Sequence, residues 1–140
     1  MKVRELMTQQ VEFVKADTTI QETAEKMKEL DVGALPVVIA DETVGIITDR
    51  DIVVRAIAHG LDPEKSHVSD ALTEGIEFCN AGDDIKDVAR LMEKKQIRRV
   101  VVKDDQGNVS GIVSLGDLAI RVSHELSGEV LEEISEPGGA

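Results

Sequence analysis

The sequence predicts an α/β (α+β) fold built from two beta-alpha-beta-beta-alpha repeats. Three observations predict it: apolar residues recur at helical spacing in two stretches, a pair of short apolar runs follows each stretch, and the whole pattern is written twice. Laid over itself so that Met7 meets Leu72, the chain matches Met7-Thr8-Gln9-Gln10-Val11-Glu12-Phe13 with Leu72-Thr73-Glu74-Gly75-Ile76-Glu77-Phe78. Further on, Ala16, Ile20, Ala24, Met27 and Val37 meet Ala81, Ile85, Ala89, Met92 and Val102, like for like in core type. One extra residue in the second hairpin turn then moves the register. After it Gly45-Ile46-Ile47-Thr48 meets Gly111-Ile112-Val113-Ser114, and Asp51 and Arg55 meet Asp117 and Arg121. A chain of 140 residues leaves each copy too small for a core of its own, so the copies are expected to fold together as one module.

Each element has a local reason. Short extended pieces, 11–14 and 76–79, open the copies. Thr18-x-x-Gln21 resembles a capping box, and Asp83 offers an N-cap at the equivalent place. A first helix follows in each copy, with Ile20, Ala24 and Met27, or Ile85, Val88, Ala89 and Met92, on one apolar face. Two apolar runs then form a hairpin: 35–39 and 44–47 about Ala40-Asp41-Glu42-Thr43, and 100–102 and 109–113 about Asp104-Asp105-Gln106-Gly107-Asn108. A second helix is expected over 49–59, stopped by Gly60, and over 115–126, stopped near Gly128. The organisation is thus a first repeat over 1–60, a polar connector over 61–67, a second repeat over 68–127 and an acidic tail over 128–140.

Composition excludes several classes of function. Hydrophobic residues at 41% and charged residues at 31% describe a globular protein, and no apolar run is long enough to span a bilayer. The first residues lack the apolar core and cleavage site of a secretion signal, so the expected location is the cytoplasm. Cys79 is the only cysteine, which excludes an internal disulfide and suits a small core position. A net charge of -12 repels nucleic acid at long range, and with Phe13 and Phe78 the only aromatic residues there is no platform for base stacking. A small nucleotide is still admissible, because its phosphates need only a local group of donors.

The informative residues lie where the last strand of each copy runs into its last helix. Gly45-Ile46-Ile47-Thr48-Asp49-Arg50-Asp51 and Gly111-Ile112-Val113-Ser114-Leu115-Gly116-Asp117 both read Gly-h-h-Thr/Ser-x-x-Asp, where h is apolar. A strand glycine lets another backbone or a ligand come close. A hydroxyl at a helix N-terminus stands beside unpaired N–H groups that favour phosphate, and a carboxylate can accept both hydrogen bonds of a ribose diol. Together Thr48 with Asp51, and Ser114 with Asp117, suggest a nucleotide. The same residues also serve as plain helix caps with no ligand at all, and duplication copies caps as readily as sites.

These residues resemble tandem CBS domains, the family named for cystathionine beta-synthase. The resemblance covers about residues 3–126. It includes Val32-Gly33-Ala34-Leu35-Pro36-Val37-Val38, Ile97-Arg98-Arg99-Val100-Val101-Val102 and both Gly-h-h-Thr/Ser-x-x-Asp turns. Similar short bacterial proteins consist of a CBS pair and little else. The resemblance implies two repeats packed about a pseudo-twofold axis, clefts for adenosyl ligands such as AMP, ADP, ATP or S-adenosylmethionine, and assembly as a homodimer. It makes Asp51 and Asp117 the ribose ligands, puts Thr48 and Ser114 on the phosphate or ribose side, and packs Ile46 and Ile112 on adenine. Val32, Gly33 and Ala34, with Ile97, Arg98 and Arg99, would line the clefts, and Gly45 and Gly111 belong to the same motif. Arg99 matches a position where the family often places a phosphate-binding arginine.

The copies part at a few positions. Gly33-Ala34 stands against Arg98-Arg99, and Arg50 against Gly116, so the two sites are expected to be unequal. As surface counterions of an acidic protein the arginines need no ligand.

His59, His67 and His124 have no partner at metal-ligand spacing, so neither a metal nor a cofactor is expected. Asp49, Arg50 and Asp51 come with no nucleophile and base, and no catalytic residue is assigned. The leading expectation is a regulatory, non-catalytic module that senses an adenine nucleotide and signals through dimer geometry or through a protein partner that no sequence feature names. The alternative is a structural or interaction protein with empty sites, favoured by Ala34 and Gly116.

Overall fold

A computed structural model of the chain describes residues 1–9 and 12–121, the side chains of the last two excepted. In order the elements are β1 (Thr8–Gln9), β2 (Val14–Lys15), α1 (Ile20–Leu30), β3 (Ala34–Ile39), β4 (Glu42–Thr48) and α2 (Asp49–Asp51), which runs on as a π-helix over Ile52–Ile57. Then come β5 (Thr73–Glu74), β6 (Phe78–Asn80), α3 (Ile85–Lys95), β7 (Arg99–Lys103), β8 (Val109–Ser114) and α4 (Leu115–Arg121). Each repeat is therefore a beta-alpha-beta-beta-alpha unit preceded by a short extra strand. The end of the last helix, His124 and the acidic tail lie outside the described residues.

Sequence repeats and spatial units are divided differently. One compact unit is Glu12–Ile76, and the other takes Met1–Val11 together with the chain from Glu77. The reason is strand pairing. In the Glu12–Ile76 unit the sheet order is β2-β3-β4-β5, with β2 parallel to β3 and the other pairs antiparallel. In the second unit the order is β1-β8-β7-β6, with only β6 and β7 parallel. Each mixed sheet thus takes as an edge the two-residue strand that opens the other sequence repeat.

The cores follow the sheets. In the Glu12–Ile76 unit Ile20 and Met27 of α1 close over Val14, Leu35, Val37 and Ile47. In the other, Ile85, Val88, Ala89 and Met92 of α3 pack with Cys79, Val100, Val102, Val113 and Leu118. Burial and the nearby Asp83 carboxylate push the Cys79 thiol up to about 12, so it sits there as a neutral apolar group.

Two local expectations shift. The helices start one residue later than the expected caps. Thr19, not Thr18, accepts from the Glu22 amide at 3.1 Å, and Asp84, not Asp83, accepts from the Lys86 amide at 2.9 Å. Asp83 instead closes the preceding turn by accepting from the Asn80 amide. The seam of α1 changes accordingly: Thr23 is fully buried and Ala24 exposed. A threonine is tolerated there because its hydroxyl donates to the Thr19 carbonyl at 2.8 Å, leaving no unmet polar group.

The π-helix is the feature that no pattern suggested. Ala58 and Leu61 donate to the carbonyls of Val53 and Ala56, five residues back. Ala56 is buried, while Val53, Val54 and Ile57 are 60%, 42% and 51% exposed.

Candidate functional site

The two Gly-h-h-Thr/Ser-x-x-Asp turns fold alike. In the Glu12–Ile76 unit the Asp51 amide donates to Thr48 Oγ1 at 3.0 Å and the Thr48 amide donates to Asp51 Oδ2 at 3.0 Å. In the other unit the Asp117 amide donates to Ser114 Oγ at 3.1 Å and the Ser114 amide donates to Asp117 Oδ2 at 2.9 Å. Each is a closed reciprocal cap. The cap reading of the sequence is therefore real in both copies, and it consumes only part of each group: a hydroxyl keeps its proton and a carboxylate its second oxygen.

The strand glycines serve backbone. A Cβ on Gly45 would lie 2.5 Å from the Thr73 carbonyl oxygen, and one on Gly111 would lie 2.6 Å from that of Thr8. Of the two occupants a strand glycine admits, β5 and β1 take these places. Gly45 and Gly111 therefore hold the edge strands against β4 and β8.

The neighbouring segments are also partly spoken for. The Gly33 carbonyl accepts from the Asp49 amide, and the Arg98 carbonyl accepts from the Leu115 amide, each at 2.9 Å. Val32 and Ile97 donate to Met27 and Met92, closing the ends of α1 and α3. Ala34 pairs with Thr48, and Arg99 pairs with Ser114, so Arg99 stands beside the hydroxyl of its own turn. Arg50, Arg98 and Arg99 are exposed, and Ile46 and Ile112 are buried. A Cβ on Gly116 would make an ordinary contact with the Ser114 hydroxyl at 3.5 Å.

The carboxylates differ in their surroundings. Asp51 is 7% exposed, and Thr73 Oγ1 reaches its two oxygens at 3.2 and 3.1 Å. Arg55 adds an ion pair at 3.7 Å and donates through Nη1 to the Leu72 carbonyl at 3.0 Å. Asp117 is half-buried, and among the described residues its carboxylate has Ser114 as its one partner. Thr8, the counterpart of Thr73 in β1, does not reach it. The role of Thr73 was missed in the sequence, although its recurrence as Met7-Thr8 and Leu72-Thr73 was visible.

An open groove of about 470 Å³ lies at the far end of the β3–β4 hairpin, lined by Phe13, Lys15, Asp17, Ile39, Ala40 and Asp41 among others. It contains none of the candidate residues. Among the described residues no group of three His, Cys, Asp or Glu side chains could hold a metal ion, and no helix is long and apolar enough to cross a membrane.

Comparison with known proteins bears on this geometry. A family model described as CBS domain matches residues 3–57 and 68–124. The CBS domain-containing protein YhcV of Bacillus subtilis is 42% identical over 134 residues, 95% of this chain and 94% of that protein. A hexameric CBS-CP12 protein from bloom-forming cyanobacteria superposes with a TM-score of 0.79 at 28% identity, covering 90% of this chain and 73% of that one. A structure of CBSX2 in complex with AMP matches with a TM-score of 0.65 at 25% identity, over 84% of this chain and 93% of that one.

Proposed function

The chain belongs to the CBS domain family as a tandem pair of repeats, and from that premise we propose that it is a regulatory, non-catalytic module that binds an adenosyl ligand at its two Thr/Ser-x-x-Asp turns. The observation that carries this reading is the repeated placement of a hydroxyl and a carboxylate in one cap, Thr48 with Asp51 and Ser114 with Asp117. That CBSX2 is a complex with AMP makes AMP the first ligand to try, with ADP, ATP and S-adenosylmethionine beside it.

In this reading Asp51 and Asp117 take the ribose diol, and Thr48 and Ser114 the ribose or phosphate side. Ile46 and Ile112 face adenine, and Val32, Gly33, Ala34 and Ile97 border it. Arg99, opposite Ser114, takes phosphate, with Arg98 and Arg50 as further cations. The cytoplasm is the expected place of action. A homodimer accounts for the exposed Val53, Val54 and Ile57, a cluster that a second copy would cover. Output then passes through dimer geometry or a protein partner, and it requires that ligand prefer one geometry to another.

One observation favours a second reading, a ligand-free interaction protein: both turns close complete reciprocal caps with their own amides and side chains. Thermal unfolding with AMP, ADP, ATP, S-adenosylmethionine and NAD in turn separates the two. A ligand at about 100 times its dissociation constant adds about 2.7 kcal/mol to the wild type. The gain is expected to vanish in the Asp51→Ala/Asp117→Ala double variant. No gain with any of the five supports the ligand-free reading, and binding that survives the double variant removes the carboxylates from the ribose role.

A further inference from the structure

We propose that Thr73 is an internal latch on Asp51, occupying with the chain's own hydroxyl the carboxylate that an adenosyl ligand would need. The proposal rests on the adenosyl reading above and adds how one of its two sites is regulated. Its basis is within the Glu12–Ile76 unit. Asp51 is closed on three sides: the Thr48 amide at 3.0 Å, Thr73 Oγ1 at 3.2 and 3.1 Å, and the Arg55 guanidinium at 3.7 Å. A diol has to displace the Thr73 hydroxyl to reach it, and a hydrogen bond to a charged acceptor is among the stronger ones to exchange.

The latch has a mechanical side. Arg55 lies on the π-helix that continues α2, and its Nη1 holds the Leu72 carbonyl at 3.0 Å, one residue before β5. Thr73 and Arg55 therefore tie β5 to α2 from two directions. Beyond β5, which is otherwise held by its pairing with β4, the chain turns at Gly75 with a φ of +70°. Displacing Thr73 from Asp51 loosens this tie, so occupancy of the site is felt by the segment through which the chain leaves the unit. The equivalent strand β1 carries Thr8 without any bond to Asp117 among the described residues, so the Asp117 turn lacks this latch and takes ligand first.

Calorimetric titration with AMP in an Asp117→Ala background isolates the Asp51 turn, with Asp117→Asn as the substitute should alanine disturb α4. Adding Thr73→Val is expected to tighten AMP about tenfold, the free state having lost a bond that the bound state never had. Adding Thr73→Ser, which keeps the hydroxyl, leaves the affinity unchanged. Thr8→Val in an Asp51→Ala background also leaves it unchanged. Hydrogen exchange at residues 72–75 is expected to quicken with AMP in the Asp117→Ala protein. If AMP binds the wild type and Thr73→Val leaves binding equal or weaker in a protein that melts normally, the latch is wrong while the adenosyl reading stands. If the wild type binds none of the adenosyl ligands, both fall together.

Discussion

The Asp51 turn and the Asp117 turn have the same backbone and different company. Both close a reciprocal cap with bonds of 2.9 to 3.1 Å, and both stand beside a strand glycine that admits the edge strand. Asp51 is buried, held by Thr73 from β5 and by Arg55 one turn along its own helix, whereas among the described residues Asp117 is half-buried with no such threonine. Duplication has kept what the fold needs and let the side chains around it drift. The chemistry of each copy therefore follows from the neighbours of the motif as well as from the motif.

The likeness is broken most severely at the strand glycines. Gly45→Ala sets a methyl 2.4 Å from Leu72 Cδ1 and 2.5 Å from the Thr73 oxygen, and Gly111→Ala sets one 2.6 Å from the Thr8 oxygen and 2.8 Å from Met7 Sδ. Each is expected to cost about 3 kcal/mol in denaturant unfolding, because backbone has to move. Gly116→Ala on α4, whose methyl would make an ordinary contact with the Ser114 hydroxyl at 3.5 Å, is expected to be neutral or to stabilise by up to about 1 kcal/mol.

The hairpins come next. Ala40 and Asp41 turn the first with φ of +50° and +66°, whereas the second has Gly107 at +81°. Ala40→Gly should raise stability by about 1 kcal/mol, and Gly107→Ala should lower it by about as much. Equal effects of the same sign would show that the turns are not strained as their dihedral angles indicate.

The caps of α1 and α3 separate by pH. The Lys86 amide, before all other influences, holds the Asp84 carboxyl below its ordinary 3.8. A group depressed on folding stabilises above its unfolded value, and that contribution is lost as pH falls below 3.8 through the folded value. Thr19 has no such dependence. Asp84→Asn should leave neutral stability nearly unchanged and flatten the acid limb of the stability curve, while Thr19→Ala should cost about 1 kcal/mol at every pH.

The smallest effect is chemical. Cys79, pushed up to about 12 by burial, should resist a thiol reagent at pH 8 in the native protein and react at once in denaturant. In stability the sign is opposite to that of Asp84: the benefit of the neutral thiol is complete below pH 9 and lost between 9 and 12.

Much of this was legible in the residues. The repeat exposed itself through matched core positions, and the hairpins and helices through period and punctuation. Strands β1 and β5 were not, because two residues carry no alternation. Their trace was the pair Gly45 and Gly111, each marking a place where a second backbone lies. The α1 seam was misread at Ala24 because a threonine at 23 looks polar until its hydroxyl finds the Thr19 carbonyl. The unequal pairs Gly33-Ala34 with Arg98-Arg99 and Arg50 with Gly116 were plain in the sequence. The inequality at Asp51 was not, since Thr73 meets it only once β5 has paired with β4.

That inequality is open to one direct measurement, the calorimetric titration of AMP into the wild type, Asp51→Ala and Asp117→Ala. An unlatched Asp117 and a latched Asp51 predict that the tighter binding event is lost in Asp117→Ala and kept in Asp51→Ala. Loss of the tighter event in Asp51→Ala, or equal weakening in both, would contradict it.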